Sequence, residues 1–266
     1  MAAEPDRTWV GGMAEVYDRL LGPMVFRPFA VDLARRAAAA DAQRVLEVAA
    51  GSGIVTGELV AALPDATVVA TDLNPDMVRT GVDRVPQARW AVADAQHLPC
   101  GDRRFDLLAC QFGVMFFPDR PAAFAQAHRV LAPGGRLLVS TWDAAATHGF
   151  GRAILAGTRR AFPDDPPPFL EAVPHGYHDP DRFVADVRAG GFTSVTVEPV
   201  TLTGRARSAA DVAVGFCSGT PVRAGITARG DLAATTALIE EVVAAELGAG
   251  PIETEMTAYV VEARRG

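Results

Sequence analysis

Two carboxylates stand where carboxylates are unusual. Glu47 lies inside an apolar run, residues 45–48, of the kind a buried parallel strand uses. Asp72 ends a second apolar run, residues 66–71. Between them the chain breaks into Ala49-Ala50-Gly51-Ser52-Gly53 and resumes as a helix-compatible stretch over residues 54–63. Strand, glycine turn and helix together present free backbone N–H groups and a helix N-terminus to a ligand. A carboxylate at Glu47 is then either a costly burial or a ligand contact at the strand's carboxyl end. Asp72, about 20 residues past the glycines, is placed to accept hydrogen bonds from ribose hydroxyls.

Dinucleotides and S-adenosylmethionine both use this arrangement. Gly51 and Gly53 fit the dinucleotide pattern G-x-G-x-x-G, but its third position is Thr56, so an NAD(P)-dependent oxidoreductase is only partly supported. Of the other groups able to do chemistry, His148 sits just past the fifth strand and is the best-placed general base; His175 and His178 have weaker claims. The sequence shows no metal-binding constellation. Asp164-Asp165 lies in a proline run, and Asp179 and Asp181 lack a third ligand at helix or strand spacing. No Gly-Lys-Ser/Thr follows the glycine turn, and no G-x-S-x-G turn occurs.

The elements that position these residues alternate. Strands are expected near 45–49, 67–71, 89–92, 105–110 and 136–141 with helices between, which implies a parallel sheet covered on both faces and a ligand at the strands' carboxyl ends. Pro133-Gly134-Gly135 reads as a turn ahead of the fifth strand. Residues 1–43 read as an N-terminal helical segment: Val16, Tyr17, Leu20 and Leu21 form an apolar stripe that Gly22-Pro23 interrupts, and a second helix covers about 29–40. Residues 143–180, rich in Ala, Gly, Pro and Asp, have the composition of a loop or lid. A helix near 181–189 leads to a strand over 194–200, and an alternating run over 254–261 suits the last strand. The stretch 203–253 between them holds two helix-like pieces, 209–217 and 231–247, and reads as a cap over a small-molecule pocket. Its alternative is a solvent-facing decoration or a dimer surface.

Five blocks in order carry a resemblance: V-L-E-V-A-A-G-S-G (45–53), T-D-L-N-P-D-M (71–77), A-D-A-Q-H-L-P (93–99), F-D-L-L-A-C-Q-F-G-V-M-F-F-P-D (105–119) and R-V-L-A-P-G-G-R-L-L-V-S-T-W (129–142). Over residues 44–142 the chain resembles the class I S-adenosylmethionine-dependent methyltransferases, in the bacterial small-molecule branch of the ubiquinone and menaquinone biosynthesis enzymes. The resemblance implies an α/β, Rossmann-like, seven-stranded sheet, mostly parallel with its last strand antiparallel, with N-terminal helices and the cap inserted near the C-terminus. It divides the chain into the segment 1–43, a cofactor-binding core 44–142 and a remainder 143–266.

The resemblance also implies S-adenosylmethionine as cofactor, held by Tyr17, Glu47, Ala49, Gly51, Ser52, Gly53, Asp72, Leu73, Met77, Asp94, Ala95, Gln96, Gln111 and Phe112. Tyr17, in the Tyr17-Asp18 pair, would fold over the methionine end or simply pack its helix. Asp94 would accept from the adenine amino group, or else serve only as a turn residue. Gln111 and Phe112 would face the transferred methyl, whereas Met115, Phe116 and Phe117 read more as core. The family usually carries glycine where this chain has Ala49, so a slightly shifted loop is expected and not a lost site.

Transfer from a sulfonium can run on positioning and desolvation without an obligatory acid, base or metal. A protein that keeps this fold and cofactor for other work, such as templating a cyclisation, is the remaining alternative. Aromatics in the cap region (Phe150, Phe162, Phe169, Tyr177, Phe216) point to a small, largely apolar acceptor. A formal net charge of −7 argues against a nucleic-acid partner. No run approaches the roughly 18 uncharged apolar residues of a membrane span, and the N-terminus does not read as a signal peptide. Three cysteines without C-x-x-C spacing suit a reducing cytoplasm and buried packing. A homo-oligomer is left open.

Overall fold

A computed structural model describes residues 12–266. Seven strands make one sheet in the order β3-β2-β1-β4-β5-β7-β6. They are β1 (Arg44–Val48), β2 (Thr67–Asp72), β3 (Arg89–Val92), β4 (Phe105–Gln111), β5 (Leu131–Trp142), β6 (Ser194–Ala206) and β7 (Ile252–Arg264). β1 through β5 pair in parallel, while β7 runs antiparallel to both β5 and β6, as expected.

The apolar runs of β1, β4 and β5 arise because both faces are covered. Val45, Leu107 and Leu138 pack under the helices Arg27–Ala38 and Ile54–Ala62, and Leu46, Leu108 and Val139 join the core of the opposite face. Chain order reverses between β1 and β4, which opens a crevice at their carboxyl ends.

Four expectations need correction. Gly22-Pro23 does not interrupt the first helix: Met13–Val16, a wide π-type stretch Tyr17–Phe26 and Arg27–Ala38 follow one another without a break. Proline breaks a regular α ladder, and the wider turn carries the chain past Pro23. The first 11 residues of the expected segment 1–43 lie outside the described residues. Second, Pro133-Gly134-Gly135 falls inside β5, where the register with β4 shifts between Phe105 and Leu107. Third, β6 and β7 are longer than expected and pair from Ser194↔Arg264 to Ala206↔Ile252.

The fourth correction concerns residues 143–180, whose composition suggested a lid. They contain a helix, Gly149–Ala161, with Phe150, Ala153 and Ile154 fully buried, and His148, His175 and Tyr177 are buried as well. The small residues are packing devices. A Cβ on Gly157 would lie 3.0 Å from Ile239, and one on Gly149 only 1.8 Å from Thr254. Phe150 and Tyr177 therefore belong to the core and not to a pocket wall.

The chain between β6 and β7 carries the helices Ala209–Gly219, Val222–Thr227 and Leu232–Leu247; the short middle one was not expected. Leu232–Leu247 packs on Gly149–Ala161, and Ala209–Gly219 packs on Tyr17–Phe26. Cys110 and Cys217 are buried in the core, which pushes both thiols up to about 12.

Glycine packing gives a paired test. Gly157→Leu should cost about 1–3 kcal/mol by wedging Leu232–Leu247 off its neighbour. Gly57→Ala, whose new Cβ meets only Val85 at 3.6 Å inside the helix Ile54–Ala62, should add about 0.5–1 kcal/mol. Urea midpoints of the two variants against the parent protein check both signs.

Candidate functional site

β1 and β4 lie side by side with Glu47 opposite Ala109, so the two chains leave the sheet at neighbouring points. Both leave through left-handed backbone on residues that are not glycine: Ala49 at φ 53° and Phe112 at φ 54°. Each such residue costs on the order of 1–2 kcal/mol, a kind of strain that gathers at binding sites. Ala49 thus keeps the conformation a glycine would take. Its methyl fills the space beside Gly113, where any Cβ would stand 2.4 Å from it.

The glycine turn is pinned from β2. One carboxylate oxygen of Asp72 accepts the Gly51 N–H at 2.7 Å and the other accepts the Asn74 N–H at 2.8 Å. On the other side of the turn, the Ser52 hydroxyl donates to Asp18, which also pairs with Arg84 at 2.8 Å. That tie holds the N-terminal helix, and with it Tyr17, against the turn. The helix Ile54–Ala62 begins after Gly53, at φ 88°, with no side-chain cap from the described residues on its first N–H groups.

Glu47 is 1% exposed and accepts from the Thr56 hydroxyl at 2.7 Å. Burial raises its carboxyl to about 8, with the Thr56 hydrogen bond opposing and the charge of Asp72 adding to the rise. Gln111 donates from Nε2 to the carbonyl of Phe26 at 3.1 Å, which leaves its Oε1 buried without a hydrogen-bond partner among the described residues. Asp94 is a turn residue first. Burial works against its charge, but the Gln96 N–H and the side chains of His97 and Gln96 hold its carboxyl below the usual range.

These groups surround one cleft of about 1080 Å³, open space at its mouth included. Of the residues nominated from the sequence, Tyr17, Glu47, Ala49, Gly51, Ser52, Asp72, Leu73, Met77, Asp94, Ala95, Gln96, Gln111 and Phe112 all line it. Gly53 does not; it shapes the turn from behind, packed against the ring of Trp90. Phe26, Asn74, Phe116 and Phe117 also line the cleft. The apolar run reads Phe116 and Phe117 as core, and their place past the end of β4 brings them to the cleft instead.

Tyr17, Phe26, Phe112 and Phe116 are shared with a second cavity of about 580 Å³, open space included, beside the cleft. Its walls are apolar: Leu21, Val25, Met115, Trp142, Phe169 and Leu170, with Phe216, Thr220 and Pro221 from the stretch between β6 and β7. Trp142 stacks on Phe112 with ring centroids 3.7 Å apart. Two histidines complete the lining, His148 and His175.

The structure corrects the reading of His148 as a base. Its Nδ1 accepts the Gly151 N–H at 3.0 Å and so caps the helix Gly149–Ala161, which leaves the proton on Nε2. Burial, and then the neighbouring His175, pull its proton affinity well below the ordinary range. Its Nε2 is a donor. His175 is the reverse case: Nδ1 donates to the carbonyl of Asp143 at 2.7 Å, so Nε2 carries a lone pair. His178 is exposed and donates to the carbonyl of His175.

A family model described as a methyltransferase domain matches residues 45–135. A ubiquinone/menaquinone biosynthesis C-methyltransferase of Dinoroseobacter shibae is 30% identical over 175 residues, which cover 60% of this chain and 70% of that protein. An uncharacterized protein of Mycobacterium tuberculosis is 36% identical over 153 residues, 56% of this chain, and the match spans only 55% of that relative's length. Among solved structures, the [4+2]-cyclase SpnF aligns over 98% of this chain and 97% of its own with a TM-score of 0.62 and 17% identity, a likeness of fold.

The buried carboxyl sets a pH test. Because its folded pKa lies above the unfolded value, the stability that protonated Glu47 contributes is complete below about pH 4.5 and is lost as pH rises through about 8. Glu47→Gln, which keeps an acceptor for Thr56, should lie within about 1 kcal/mol of the parent near pH 5 and gain about 4 kcal/mol on it by pH 8.5 in urea titrations. The strained turn gives another. Gly113→Ala should cost about 1–3 kcal/mol in the parent, and most of that should return in an Ala49→Gly background, the remainder reflecting Cys110 Sγ at 3.0 Å.

Proposed function

The chain belongs to the class I S-adenosylmethionine-dependent methyltransferases, and on that footing we propose that it moves a methyl group from S-adenosylmethionine to a small, largely apolar organic acceptor. The observation that supports this reading is the pair of joined cavities. One is ringed by polar acceptors at the ends of β1, β2 and β4, and the other is apolar and separated from the first only by aromatic rings.

The residues of the cleft fit the cofactor. Gln111 Oε1 is a buried acceptor awaiting a donor, which suits an ammonium group. Among the described residues Gly51 has nothing within 4 Å of where a Cβ would be, so the backbone itself borders the cleft there. Asp72 accepts backbone N–H groups through both oxygens at the end of β2, the place from which a carboxylate takes ribose hydroxyls. Leu73 is 46% exposed at the rim, an apolar surface that a flat ring would cover. Thr56, at the third position of the dinucleotide pattern, turns its hydroxyl onto Glu47, so the close helix–strand approach that a third glycine permits is absent.

When bound, S-adenosylmethionine supplies a methyl already activated by its positive sulfonium. The chain's own part is to orient the acceptor and to exclude water, both of which the ring cluster of Tyr17, Phe26, Phe112 and Trp142 can do. Tyr17 and Phe26 stack at 4.7 Å and offer aromatic faces of the kind that favour a cation. No proton acceptor is required of the cleft, and none is assigned there.

Confinement in the apolar cavity would equally suit a cyclisation of one substrate, the activity named for SpnF. Product mass separates the two: a gain of one methyl, or no change. Binding comes first. S-adenosylhomocysteine should bind in calorimetry where NAD does not, and Asp72→Asn should weaken it about 10–100-fold while the folded circular dichroism persists. Binding of NAD in place of S-adenosylhomocysteine would overturn the reading.

A further inference from the structure

We propose that His175 and His148 form a neutral acceptor–donor pair that selects acceptors carrying an uncharged hydroxyl on an apolar ring, holding that hydroxyl at the end of the inner cavity away from the site of methyl transfer. The inference rests on the methyl-transfer reading above and deepens it.

Backbone partners set the state of both rings. His175 Nδ1–H is committed to the carbonyl of Asp143 at 2.7 Å, and His148 Nδ1 to the N–H of Gly151 at 3.0 Å. Each commitment fixes a tautomer. The pair therefore presents two unlike nitrogens, a lone pair on His175 Nε2 and a proton on His148 Nε2. Neither Nε2 hydrogen-bonds to any described residue. The buried polar side-chain atoms left wholly without partners among the described residues are Gln111 Oε1 and Ser140 Oγ, so each Nε2 retains some accessible surface. The cavity that both rings line is the one described above.

Charge narrows the class. His148 is 2% and His175 4% exposed, the rings lie 5.4 Å apart, and burial lowers the proton affinity of each. The charged or titratable groups that bear on His175 are His178, Asp143 and Glu171. Among the described residues no Lys or Arg lines the cavity. A neutral pair among apolar walls has no cation for a carboxylate or phosphate and no anion for an amine. A neutral hydroxyl donates to one nitrogen, and an oxygen lone pair accepts from the other. Placement separates this grip from the chemistry. Trp142 stands between, its ring centroid 3.7 Å from that of Phe112 on the cleft side and 4.8 Å from that of His148. The gripped hydroxyl is then an anchor, and the methylated atom lies elsewhere on the same molecule, nearer Phe112 and Phe116.

The probes are 2-naphthol, 2-methoxynaphthalene and 2-naphthoate, titrated calorimetrically into the full chain with and without S-adenosylhomocysteine. The parent should bind 2-naphthol about tenfold more tightly than the methyl ether, which has no proton to give, and 2-naphthoate least. His175→Asn keeps a side-chain N–H for Asp143 but loses Nε2, and should erase the preference for the naphthol. His148→Asn keeps a capping oxygen for Gly151 and should weaken naphthol and ether alike. Imidazole 15N NMR of the parent needs no variant: only His175 Nε2 should carry a lone-pair shift that moves on adding 2-naphthol. A parent that does not prefer 2-naphthol, or a His175→Asn protein that still does, overturns the inference. Failure of S-adenosylhomocysteine to bind would instead sink the methyl-transfer reading, and the two failures are read from separate titrations.

Discussion

Two parallel neighbours that end at the same height and depart in opposite directions impose the constraint on which the rest of this site depends. β1 must turn toward β2 and β4 toward β5, and both do so within two residues of the sheet. A strand cannot make that departure with ordinary β dihedrals, so the chain enters left-handed backbone at Ala49 and at Phe112. The strain is local, but its consequences spread. The turn at Ala49 aims the Gly51 N–H at Asp72, and the turn at Phe112 lays its ring on Trp142. One departure makes the polar cleft and the other makes the partition between cleft and inner cavity.

Within that frame, two carboxylates divide the electrostatic work. Asp72 is partly exposed and takes two backbone N–H groups. Glu47 sits deeper, with one hydroxyl for company and the charge of Asp72 nearby, so its proton stays on at neutral pH. Glu47 is thus buried in its neutral form, which avoids most of the cost of burying a charge.

How much of this was legible in the sequence depends on how local each signal is. The glycine turn, Asp72 at the end of β2 and Gln111 at the end of β4 are each fixed by a strand and the few residues after it, and all three line the cleft. The inner cavity has no such signature. Its walls come from the N-terminal helix, from Met115 and Phe116, from Trp142, and from Phe216 and Pro221, residues that meet only because the helices between β6 and β7 fold back on Tyr17–Phe26 and on Gly149–Ala161. Composition misled at 143–180 for a physical reason: glycine and alanine mark loops when they free the backbone, and mark close helix packing when, as at Gly149 and Gly157, a neighbour occupies the space of the missing side chain.

The histidines show a different limit. A sequence can nominate His148 by its place after β5, but a histidine's role depends on which nitrogen holds the proton, and that is decided by a partner. Here both partners are backbone atoms, the N–H of Gly151 for one ring and the carbonyl of Asp143 for the other. No residue identity encodes either. The first ring begins a helix and must accept; the second follows the single turn Phe169–Ala172 and reaches back to the end of β5, where the free group is a carbonyl and it must donate. Two like residues thus become opposite in function through the backbone polarity of the places where they land.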